Sequence, residues 1–134
     1  MKKYLIYITG AFAVLLLTSC QKEETDEAYL AEVARIINSK VPTKVDQYAT
    51  LDSAVVGKGL SLTYYYTIAG IEEAGLDIDV NLAKASLKEQ SQMAVDTTEG
   101  MKLFKHQVTL YYRYNDTDGA PMFDYTVKTK TKQK

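Results

Sequence analysis

The sequence has no tryptophan, one histidine, one cysteine and two prolines in 134 residues, and each scarcity removes a class of function. A lone cysteine, Cys20, cannot close a disulfide within the chain, so the fold must hold by packing alone. The single histidine, His106, excludes a multi-histidine metal site. A Ser-His-Asp triad would in turn need a serine in a nucleophile-elbow context, which the chain does not offer. His106 is therefore expected at the start of a strand. What the chain has in abundance is tyrosine, 11 residues against three phenylalanines. Tyrosine is then the main large side chain of the core, and every buried hydroxyl will need a partner.

The N-terminus carries a targeting pattern. Lys2 and Lys3 form a positive n-region, and Leu5 to Leu17 is an apolar run interrupted by Thr9 and Gly10. The run falls short of the roughly 20 residues that a membrane span needs, and it stops at small residues rather than at a positive flank. Residues 1–19 are read as a signal peptide that is cleaved. The stretch Leu17-Thr18-Ser19-Cys20 resembles the lipobox of bacterial lipoproteins. That resemblance implies a diacylglycerol on the Cys20 thiol, cleavage after Ser19 and acylation of the new amine. Membrane lipid would then be a partner through acylated Cys20, since two acyl chains already suffice for stable anchoring.

Removal of 19 of the 134 residues leaves 115, enough for one domain. Once Lys2 and Lys3 leave, 14 of the 16 basic residues face 17 acidic ones, a formal charge of −3. That balance argues against nucleic acid, which calls for a basic face. Residues 20–27 read as lipidated Cys and polar tether. Gln21 after the cysteine resembles the outer-membrane sorting pattern, and Gln21-Lys22-Glu23-Glu24 is similar to the export signal of surface lipoproteins in Bacteroidetes-type bacteria.

A single α+β domain is expected over 28–130, followed by a basic tail at 131–134. Leu30, Val33, Ala34 and Ile37 recur at helical spacing between Glu27 and Ser39, and Pro42 closes that segment. Val45 to Val56 reads as a strand, with Gly57-Lys58-Gly59 as the reversal of a hairpin. The returning arm puts Leu62, Tyr64, Tyr66 and Ile68 on one face and Thr63, Tyr65 and Thr67 on the other. A second helix is expected from about Asp79 to Met93. Asp96 with Glu99 fits a capping box for a short helix through Phe104. Alternation in Val108–Tyr114 and Phe123–Lys128 then predicts a second hairpin.

The expected fold is thus helix-hairpin-helix-hairpin, with a four-stranded antiparallel sheet and both helices on its apolar face. Thr98-Glu99, Met101, Phe104, Val108-Thr109, Tyr112, Tyr114, Asp116 and Gly119 also resemble the pattern of small, uncharacterised exported bacterial proteins of this arrangement.

Chemical candidates are few, and no catalytic, cofactor or metal residues are assigned. Asn115-Asp116-Thr117-Asp118-Gly119 has the alternating acids of a calcium loop, but the register set by Gly119 puts Tyr125 where a bidentate Glu is required. A polar hairpin turn fits instead. Glu72, Glu73, Asp77 and Asp79 cluster as a solvated turn. Lys128, Lys130, Lys132 and Lys134 share one side of an extended end, a pattern that deters strand pairing.

The binding candidates are Tyr65, Tyr111 and Arg113 on the open sheet face, residue types enriched where proteins meet partners. The reading is a non-enzymatic, lipid-anchored envelope module, placed at the outer membrane, that binds a protein or other envelope component. The alternatives are an inhibitor or immunity protein against a toxin or hydrolase, and a carboxylate-based glycan hydrolase.

Overall fold

The computed structural model describes residues 25–131. The signal segment, Cys20 and most of the tether lie outside the described residues, as does the end of the basic tail. In chain order the elements are α1 (Asp26–Asn38), β1 (Thr43–Lys44), β2 (Ala49–Gly57), β3 (Ser61–Ile68), α2 (Val80–Thr97), a 3-10 helix (Glu99–Leu103), β4 (Thr109–Asn115) and β5 (Pro121–Lys128).

The α+β class holds, but the four-stranded antiparallel sheet does not. Five strands form one mixed sheet in the order β1-β2-β3-β4-β5, with β3 and β4 parallel and every other pair antiparallel. The parallel pair follows from the connection between its strands. An 18-residue helix spans about 27 Å, so α2 carries the chain back along the sheet and β4 starts where β3 started. The helix between the two hairpins is therefore a crossover, not a spacer. The fifth strand, β1, lies just ahead of the Val45–Val56 segment expected to be one arm, and the first residues of that segment form a turn instead of strand. The Asp46 carboxylate accepts the backbone N–H groups of Tyr48 and Ala49, both at 2.8 Å, and turns the chain. Thr43 and Lys44 then pair with Leu51 and Thr50.

Both helices close the same face. Leu30, Val33 and Ile37 of α1 and Ala83, Leu87 and Val95 of α2 are buried, together with alternate residues of β2 to β5. α1 packs mainly on β2 and α2 on β5, which leaves the central strands to fill the space between the helices with long side chains. Tyrosine rings do so. The parallel register sets Leu62 beside Leu110, Tyr64 beside Tyr112 and Tyr66 beside Tyr114. Tyr64 and Tyr112 meet with ring centroids 4.8 Å apart, Tyr66 and Tyr114 stack at 4.5 Å, and Tyr112 and Tyr125 stack at 4.8 Å. The two tyrosine-rich strands whose sequences are alike are thus neighbours in space.

The helix ends follow their sequence signals in part. The Thr25 hydroxyl caps α1 by accepting from Ala28 N–H, and the Asp79 carboxylate caps α2 by accepting from Leu82 N–H. The expected Asp96–Glu99 capping box is absent. Asp96 lies inside the last turn of α2, where its carboxylate accepts from the Gln92 amide and pairs with Lys130 at 3.3 Å.

Burial suppresses the ionisation of the tyrosine cluster. Desolvation holds Tyr64, Tyr66, Tyr112 and Tyr114 above the ordinary tyrosine range and pushes Tyr125 up to about 12. In the unfolded chain these hydroxyls titrate near 10. Above that pH the unfolded state loses protons that the folded state keeps, so stability falls as pH rises from about 10 towards 12. An alkaline titration should show tyrosinate absorbance from the buried set rising together with loss of the helical circular-dichroism signal. Ionisation of Tyr64, Tyr66, Tyr112, Tyr114 and Tyr125 near pH 10 with the helices intact would count against the buried cluster.

Candidate functional site on the open sheet face

The face away from the helices is built by the residues that alternate with the tyrosine core. Tyr65 in β3 lies beside Arg113 in β4, and Thr63 beside Tyr111. β5 adds Asp124 next to Arg113 and Thr126 next to Tyr111, while β2 adds Ser53 and Val55. The three residues named from sequence are therefore contiguous. Tyr111 keeps 39% of its surface exposed and Val55 keeps 50%, so the patch is apolar as well as aromatic. Among the described residues Arg113 forms no ion pair. Its guanidinium stays available, and Asp124 is its register neighbour on β5.

The other candidates resolve into structural roles. In the 115–119 turn, Asp116 Oδ1 accepts from Asp118 N–H at 2.9 Å and Ala120 N–H at 3.0 Å, and Gly119 takes a φ of 86° that suits glycine. It is the polar hairpin turn that the sequence suggests. His106 sits in the loop before β4, with its ring exposed and its Nδ1 2.8 Å from Asp26 Oδ2. Asp79 is spent on the cap of α2. Glu72, Glu73 and Asp77 instead share a depression at the end of the sheet with Asp116 and Asp118. Among the described residues no group of His, Cys, Asp or Glu has an arrangement that could hold a metal ion. No helix among them is long and apolar enough to cross a membrane.

Two residues escaped the sequence reading. Asp26, assigned to the solvated tether, is buried, and its carboxylate accepts the backbone N–H groups of Lys105 at 2.9 Å and His106 at 2.8 Å. A threonine followed by two acids ahead of an apolar period is a helix-start signal, and it could have placed Asp26 in the first turn. Asp124, the neighbour of Arg113, carried no such mark, because it becomes a neighbour only through the β4–β5 register.

The fold and this face define a class: an α+β domain with one sheet face closed by helices and the other presenting aromatic, hydroxyl and cationic side chains. The chain belongs to a family described as a domain of unknown function, DUF8479, whose model matches residues 24–123. Among solved structures it is similar to a presumed secreted protein of Pseudomonas aeruginosa. The two are 13% identical over 82% of this chain and 96% of that one, with a TM-score of 0.55, a likeness of fold alone. No curated protein matches the chain.

Proposed function

We propose that the protein is a non-enzymatic binding module of the bacterial envelope, held at the outer membrane by acylated Cys20, that engages a protein partner through Tyr65, Tyr111 and Arg113. The observation that carries this reading is the strand register. It gathers the two tyrosines and an arginine without an ion pair on the one sheet face that no helix covers. Tyrosine buries a large, rigid area at little conformational cost and arginine offers a planar fork of donors, and both are enriched among interface anchors.

The anchoring half of the proposal rests on the lipobox pattern and is in keeping with the secreted character presumed for the structural neighbour. One in-cell crosslinking and co-purification experiment tests both halves. Cys20→Ala should release the protein from the membrane and block signal processing. The combined Tyr65→Ala, Tyr111→Ala and Arg113→Ala variant should stay anchored and folded but lose its captured partner at least tenfold. Capture undiminished in the triple variant would refute the sheet-face site, and anchoring unchanged in Cys20→Ala would refute lipidation.

A further inference from the structure

A second surface lies at the end of the sheet, at the carboxyl ends of the two parallel strands. There β3 leaves into the loop before α2 while β4 leaves into its hairpin turn, and the chain diverges over a depression between them. The floor is apolar and incompletely covered. Ile71, Leu76, Ile78 and Met122 are only half-buried, and Val80 keeps 38% of its surface exposed. The rim is acidic on both sides, with Glu72, Glu73 and Asp77 from one connection and Asp118 from the other.

Among the described residues Glu72, Asp77 and Asp118 form no salt bridge, and their side chains take no part in the hydrogen bonds that shape the two turns. An apolar floor alone would accept any hydrophobic segment. The carboxylates on both rims select against anionic and neutral ones and favour a cation.

We infer that this depression docks a basic segment of a partner protein in which lysine or arginine alternates with large apolar residues, the apolar side chains meeting the floor and the cations meeting the rim. The chain's own end supplies half of that chemistry. Lys128, Lys130, Lys132 and Lys134 alternate with Thr129, Thr131 and Gln133, which leaves nothing apolar to fill the floor. In addition, β5 runs away from the depression, so Lys128 stands at the opposite end of the sheet from Met122. A foreign segment is therefore the better occupant.

The test uses the full chain in zwitterionic detergent micelles and a labelled six-residue peptide alternating lysine and leucine, with binding read by fluorescence anisotropy and empty micelles as the baseline. Binding should be saturable and should weaken with salt. Glu72→Gln, Asp77→Asn and Asp118→Asn together should reduce affinity about tenfold and flatten the salt dependence. A peptide with serine in place of leucine should lose at least as much, and the open-face variant Tyr65→Ala should bind normally.

These substitutions lie on exposed positions, and an unchanged denaturation midpoint would show that the fold is intact. No saturable binding, or equal binding by the carboxylate variant, would overturn the inference. A synthetic Lys128–Lys134 peptide binding as tightly as the lysine-leucine peptide would also overturn it, by pointing to a second copy of this chain. Because Tyr65 lies on the other surface, either site can fail without the other.

Discussion

Asp26→Ala is expected to destabilise the domain by about 3 kcal/mol, since it leaves two backbone N–H groups without their acceptor at roughly 1–3 kcal/mol each. The two donors, on Lys105 and His106, lie 79 and 80 residues along the chain from the carboxylate. One side chain therefore ties the start of the first helix to the loop that feeds β4. A neighbouring link reinforces it, as the Tyr29 hydroxyl donates to Gly100 O at 2.8 Å and the Tyr29 ring meets Phe104 at 4.7 Å. Urea unfolding measures the loss as a lower midpoint with an unchanged slope. Hydrogen exchange supplies the local readout, with the Lys105 and His106 amides exchanging fastest relative to wild type. A midpoint shift worth less than about 0.5 kcal/mol, the range of ordinary surface substitutions, would show that the carboxylate does not hold this loop.

The tyrosine cluster gives the second large effect and a contrast in sign. Tyr112→Ala should cost about 3–5 kcal/mol, because it removes a fully buried ring from the middle of the stack. Tyr64→Phe should be neutral or stabilising by up to about 1 kcal/mol. The Tyr64 hydroxyl is buried without a hydrogen-bond partner among the described residues, and an unpaired buried polar group is a cost that its removal relieves. Tyr125→Phe should do the reverse. The Tyr125 hydroxyl joins Ser91 Oγ at 2.9 Å to the Tyr114 hydroxyl at 3.2 Å, and losing it strands both at a cost of about 1–2 kcal/mol. Thermal or urea unfolding of the two Phe variants side by side decides the matter. If both variants shift in the same direction, the assignment of partners fails.

How much of this was legible in the sequence depends on whether the signal was local. The 3.6-residue period of Leu30, Val33 and Ile37 placed α1 to within a residue, because an amphipathic helix is written in the residues that form it. Alternation in β3 and β4 identified which side chains face the core and put Tyr65, Tyr111 and Arg113 on the open face, but their contiguity comes from the parallel register of the two strands. Strand order was not local. The sequence contains a strand, a long helix and another strand, which is the form of a crossover. Tyrosine alternation nevertheless read as two independent hairpins, since neither strand is the unbroken hydrophobic run expected of a parallel strand buried on both faces. β1 is two residues long and has no period to read. Asp26 was missed for a related reason. An acid in a run of acids looks solvated until a loop some 80 residues away brings donors to it.

The parallel seam also sets an order of assembly. β2 with β3 and β4 with β5 are each joined across short turns, so those ladders close at little entropic cost. The seam between β3 and β4 joins residues such as Ser61 and Thr109, with the whole crossover between them. Contacts of that separation are late and slow. Two hairpins must therefore wait, each with one tyrosine-lined edge unsatisfied, until α2 folds and draws them together. The last step of folding is then the one that hides the chain's most adhesive strands.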